Sequence, residues 1–128
     1  MIYLDSSVAL AYLFTEDRIP PESLWLEELV SSRLLEYEVW NRVHARDLGR
    51  SHGNEARTLI RQVALVELTP AVLKRALEPF SARVRTLDSL HLAAIEFLRG
   101  RGQRIQLASY DDRLIEAARA LDIPIAPI

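Results

Sequence analysis

The opening stretch, Met1-Ile-Tyr-Leu-Asp-Ser-Ser-Val-Ala-Leu-Ala-Tyr-Leu-Phe14, constrains the fold more than any other segment. Ile2, Tyr3 and Leu4 have strand character and no polar face between them. Such a short, wholly apolar strand fits the centre of a parallel sheet covered on both sides. Asp5, Ser6 and Ser7 follow at once, and the apolar run from Val8 to Phe14 suits a buried helix. In parallel α/β sheets, ligands bind outside the carboxyl ends of the strands, where Asp5 stands. Asp5 or Ser6 also suits the plainer role of capping the helix that follows. The rest of the chain has to decide between these roles.

Strands alternating with helical segments predict an α/β domain with a mostly parallel sheet. After the first helix, Thr15 to Pro21 reads as a loop. A helix is predicted from Pro21 to Val30, stopped by Ser31 and Ser32, with Arg33-Leu34-Leu35 as a second strand. A third helix runs from Glu36 to about Arg50, ended by Gly49 and Gly53, and a further helix spans about 54–63. Ala64–Leu68 reads as a strand, and Thr69-Pro70 as the start of a helix ending near Pro79. A strongly apolar helix extends from Leu87 to about Arg99, followed by a strand at 105–108. A last helix spans 111–121, and Ile123–Ile125 suits a terminal edge strand.

At 128 residues, 49% hydrophobic and 27% charged, the chain is expected to form one domain with a substantial core. It has no cysteine, which excludes disulfides and thiolate metal sites and fits a reducing cytoplasm, the expected location. No apolar run approaches the roughly 18 residues that cross a bilayer, and no basic region precedes a cleavable apolar segment, so no membrane partner is expected. Fifteen of the sixteen basic residues are arginines, a composition that suits phosphate contacts but also follows from genomic base composition. The net charge of −2 argues against nonspecific coating of nucleic acid.

Four carboxylates stand apart from those scattered on polar helix faces. Asp5 ends the first strand. Glu38 lies in the first turn of the predicted third helix, Asp88 in the first turn of the apolar helix, and Asp111 at the start of the last. Each has a plainer role: acids near helix N-termini cap free N–H groups and complement the macrodipole. Together they would crowd one edge of a parallel sheet, and like charges gathered there repel unless a cation joins them. An all-oxygen donor set favours Mg²⁺ or Mn²⁺ over zinc and suits phosphoryl chemistry.

Asp5-Ser6-Ser7, Glu38 in Leu35-Glu-Tyr-Glu-Val-Trp-Asn41, Asp88 in Thr86-Leu-Asp-Ser-Leu-His-Leu-Ala93, and Ser109-Tyr-Asp-Asp-Arg-Leu114 occur in an order and approximate spacing that resemble a PIN-domain ribonuclease. The small size and short N-terminus resemble the VapC toxins of type II toxin–antitoxin pairs. The resemblance implies a three-layer α/β/α fold and an endoribonuclease acting on structured RNA such as tRNA or rRNA. It makes Asp5, Glu38, Asp88 and Asp111 catalytic, with Mg²⁺, or Mn²⁺, held by Asp5, Asp88 and Asp111. It gives Ser7 and Ser109 supporting places, and it implies homodimers and a cognate antitoxin. Glu36 competes with Glu38, and Asp112 with Asp111, for the second and fourth acidic positions.

Several residues admit two readings. His91, one turn after Asp88, suits a general base or a metal ligand, but a histidine on so apolar a helix is more often a hydrogen-bonded core residue. Arg42, Arg46 and Arg50 form a stripe that Arg42 and Arg46 would present to RNA; a solvated face, with Glu38 and Arg42 as an ion pair, explains it equally. Tyr37, Trp25 and Trp40 suit core or dimer contacts better than base stacking. A receiver-type phosphoacceptor domain needs a lysine at the end of a late strand, and Lys74 falls in a helix. A haloacid dehalogenase phosphatase needs an acid where Ser7 stands, and the four glycines do not form a phosphate loop. The remaining alternative is a catalytically inactive PIN-like module that binds RNA or protein.

Overall fold

In the computed structural model, which describes residues 1–128, β1 (Ile2–Leu4) leads through Asp5 into α1 (Ser6–Leu13). A short 3₁₀ turn (Glu22–Leu26) precedes β2 (Leu29–Ser32), which feeds α2 (Leu34–Ala45) and α3 (Gly49–Arg61). Next come β3 (Ala64–Val66), α4 (Pro70–Leu77), α5 (Thr86–Gly100), β4 (Gln106–Ala108) and α6 (Asp112–Ala120). The four strands form one all-parallel sheet in the order β3-β2-β1-β4, so β1 lies inside it, as its apolar sequence requires.

Alternation along β1 assigns the two helical layers. Ile2 and Leu4 join a core with Val8, Ala9 and Leu13 of α1, Leu35, Val39 and Val43 of α2, and Ala56 and Leu59 of α3. Tyr3 points the other way, with Val72 of α4, Leu92 to Ile95 of α5, and Leu114, Ala117 and Ala118 of α6. The result is a three-layer α/β/α sandwich. Strands of three or four residues have few ladder bonds, so the sheet depends on these faces; burying one Leu or Ile contributes about 1.5–3 kcal/mol.

The predicted elements hold from β3 onward, with small shifts of boundary. Ile123–Ile125 contributes only an isolated parallel bridge, Ile125 to Leu107, in place of an edge strand. The stretch from Pro21 to Gly53 departs more. The predicted helix to Val30 is a 3₁₀ turn and then β2, because Ser31 and Ser32 do not stop an element but lie buried within one. Ser31 Oγ donates to the Leu4 carbonyl at 2.8 Å, Ser32 N donates to Tyr3 Oη at 3.1 Å, and Ser32 Oγ accepts from Leu34 N at 3.2 Å. These bonds satisfy groups that would otherwise oppose burial. Arg33-Leu34-Leu35 is therefore the entry to α2 and not a strand. That helix ends at Ala45, and Asp47 turns the chain with φ of 53°. Gly49 opens α3 and Gly53 lies within it beside Trp40, so neither glycine terminates the preceding helix.

Candidate active site

The carboxyl ends of β1 and β4 and the N-termini of α1, α5 and α6 meet at one sheet edge, where three of the four singled-out acids converge. Asp5 is 5% exposed and caps α1. Its Oδ2 accepts from Ser7 Oγ at 2.6 Å and Ser109 Oγ at 2.8 Å, and more distantly from Ser7 N. Ser7 Oγ in turn accepts from Tyr110 N at 2.9 Å, and Ser109 Oγ from Asp111 N at 3.0 Å. Two serines from opposite ends of the chain thus fix one oxygen of Asp5. Both capping and a site role are served, since the bonds converge on Oδ2 and leave Oδ1 without a protein partner.

Asp88 lies in the first turn of α5, 8% exposed, and Asp111 caps α6 through bonds from Arg113 N and Leu114 N. Between them stands Arg85, which no sequence pattern had singled out. Nε and Nη2 both lie 2.7 Å from Asp88 Oδ2, and the same Nη2 pairs with Asp111 Oδ2. Burial pushes the Asp88 carboxyl up; Arg85 opposes this, the charges of Asp111 and Asp5 reinforce it, and the net shift is upward. At Asp111 the burial effect is smaller than the pull of Arg85 and the two N–H groups, and its pKa falls. Hydrogen bonds to Asp111 and Asp88 raise that of Arg85.

Glu38 occupies the second turn of α2, not the first. Its Oε2 accepts from Ser6 Oγ at 3.2 Å, and its Oε1 meets His91 Nε2 at 2.5 Å. Nε2 therefore carries a proton, and Nδ1 lies 2.8 Å from Tyr3 Oη, to which the charged ring donates. Burial opposes a charge on His91, but the Tyr3 oxygen and the Glu38 and Asp5 carboxylates outweigh it and raise its pKa well above the ordinary value. His91, 1% exposed, is thus the hydrogen-bonded core residue that its helix suggested. It also supports the site, because the chain Ser32–Tyr3–His91–Glu38 holds Glu38 from behind.

The competing acids separate cleanly. Glu36 pairs with Arg33 at the surface, and Asp112 is exposed outside the network. Arg42 makes no ion pair with Glu38. It borders two clefts, one with Ser6, Leu34 and Glu38 and one with Ser7, Arg18 and Tyr110. Arg46, at the end of α2, stacks on Phe14, 4.5 Å from the ring centroid, and Arg50 belongs to another helix, so the stripe is confined to Arg42 and Arg46. Arg18 lies 4.2 Å over the Tyr110 ring and supplies a second cation beside the cleft.

No three Asp, Glu or His side chains stand close enough together to chelate a single ion in this arrangement. The donor chemistry nevertheless fits a hard divalent cation. Every candidate ligand is a carboxylate oxygen, Asp5 keeps one oxygen unpartnered, and Asp88 and Asp111 already share one cationic group. Asp5 and Asp88 would hold such an ion, joined by Asp111 on release from Arg85.

The sequence model of the PIN domain matches residues 2–120. The chain belongs to the PIN domain family. PIN domains are generally metal-dependent nucleases that typically use divalent metals such as Mg²⁺. No curated protein compared with the chain matches it. No helix of this PIN domain is long and apolar enough to cross a membrane.

Proposed function

We propose that the chain is a Mg²⁺- or Mn²⁺-dependent endoribonuclease, the VapC-type toxin of a toxin–antitoxin pair. The observation that carries this reading is the convergence of Asp5, Asp88 and Asp111 at one sheet edge, with Glu38 anchored alongside. A divalent ion held there supplies Lewis acidity to a phosphodiester and neutralises charge developing on it. Ser7 and Ser109 fix Asp5 so that one oxygen remains free. Glu38, oriented by Ser6 and His91, accepts a hydrogen bond from the attacking water and aligns it. Arg42 and Arg18 line the approach and bind the RNA backbone; structured RNA such as tRNA or rRNA is the expected substrate class. A homodimer and a cognate antitoxin complete the reading. Leu26 and Leu77, 89% and 88% exposed, supply apolar surface for such partners.

The test is cleavage of total bacterial RNA by purified protein with Mg²⁺, Mn²⁺ or EDTA, beside Asp88→Asn. Discrete products that need metal and disappear in the variant support the nuclease. The second reading, an inactive PIN-like module, draws on the arginine that already pairs with two of the acids. It predicts RNA or protein binding with no metal-dependent product.

A further inference from the structure

The metal reading gives Arg85 a role of its own, one that depends on that reading. Arg85 presents one nitrogen, Nη2, to two carboxylates from different helices, three residues before Asp88 and across from Asp111. Asp111 Oδ1 is already taken by Arg113 N and Leu114 N, so an ion reaching Asp111 would meet the Oδ2 that Arg85 holds. Asp5, fixed by Ser7 and Ser109, adds a third negative charge that pushes against ionisation of Asp88, a push that Arg85 opposes. We propose that the Arg85 guanidinium and a divalent cation are alternative occupants of the Asp88–Asp111 edge. In the metal-free protein Arg85 partly neutralises the cluster and keeps α5 and α6 joined there. When an ion takes the two carboxylates, like charge expels the guanidinium, which swings to the rim of the site, and the affinity of the site is set by that exchange. Arg85 is 44% exposed along its side chain, so it has room to leave.

Calorimetric titration of Mn²⁺ into the wild type, Arg85→Gln, Arg85→Lys and Arg33→Gln tests this. Arg33 serves as control because it also joins two acids at the surface. Removing a competitor worth one or two screened ion pairs should tighten Mn²⁺ binding in Arg85→Gln by about three- to tenfold. Arg85→Lys should fall between, and Arg33→Gln should match the wild type. Equal or weaker binding in Arg85→Gln overturns the exchange while leaving the metal site intact. Absence of Mn²⁺ binding in every protein overturns the metal reading and the exchange together. The wild type gives a second readout that does not depend on the variants folding: the Arg85 Nε–H resonance. It should shift as Mg²⁺ saturates the site, and a resonance unmoved at saturation overturns the proposal.

Discussion

Two arginines in this chain each join a pair of acids at the same sheet edge, and the two clusters behave differently. Arg33, at the end of β2, pairs with Glu36 three residues on and with Glu67 beyond β3. Arg85 pairs with Asp88 three residues on and with Asp111 beyond β4. In the first cluster the acids are long and reach solvent, and the hydrogen bond from Arg33 holds the Glu67 pKa below its usual value. In the second, the Asp88 pKa rises despite its arginine, because the group is buried and Asp5 and Asp111 stand near. One spacing thus gives an ordinary surface ion pair in one place and a charge-crowded site in the other. Burial and the third carboxylate make the difference.

The largest effect that should follow is on catalysis. On the proposed nuclease reading, Asp88→Asn should reduce RNA cleavage by about a hundredfold or more. Glu67→Gln, at the matching place in the other cluster, should leave the rate unchanged in the same gel assay. Equal losses would erase the distinction between the clusters.

Next comes the buried support behind Glu38. His91→Ala leaves a cavity and strips Tyr3 and Glu38 of a partner, a loss of about 2–4 kcal/mol in urea unfolding. Tyr3→Phe strands Ser32 N–H and should cost about 1–3 kcal/mol. Stability unchanged by both would remove the case for this chain of bonds as a structural support.

Smaller effects concern pH without metal. Asp88 has a raised pKa in the folded state, so the folded protein binds its proton more tightly than the unfolded one. Its ionisation therefore costs stability above the folded pKa, and that cost disappears as pH falls through it. Asp88→Asn should be more stable than the wild type at neutral pH in EDTA, with the gap closing in acid. Glu67 has the opposite sign: its lowered pKa stabilises above the unfolded value and is lost as pH falls. Because this pair is exposed, Glu67→Gln should flatten the acid limb of the stability profile only slightly. Thermal melts across pH for both variants give the signs.

Much of this comparison was legible in the sequence where local chemistry and global position agree. Ile2-Tyr3-Leu4 has no polar face, so it marks an inner strand, and Asp5 at its end marks the site edge. Thr69-Pro70 starts α4 because cap and first-turn proline point the same way. Ser31 and Ser32 misled because their partners, the Leu4 carbonyl and Tyr3 Oη, lie on another strand. Glu36 and Glu38 differ by two positions, and only their partners, Arg33 against Ser6 and His91, tell them apart. Arg85 was hidden among fifteen arginines, although its i, i+3 spacing to Asp88 at a helix start was a readable signal.

The most direct test is where Mn²⁺ binds, located by anomalous diffraction from crystals grown with the ion. A peak within coordination distance of Asp5 and Asp88, and none between Glu36 and Glu67, is the expected result. At saturating Mn²⁺, no peak at Asp5 and Asp88, or one only in the Arg33 cluster, would contradict the assignment of the acidic edge as the metal centre.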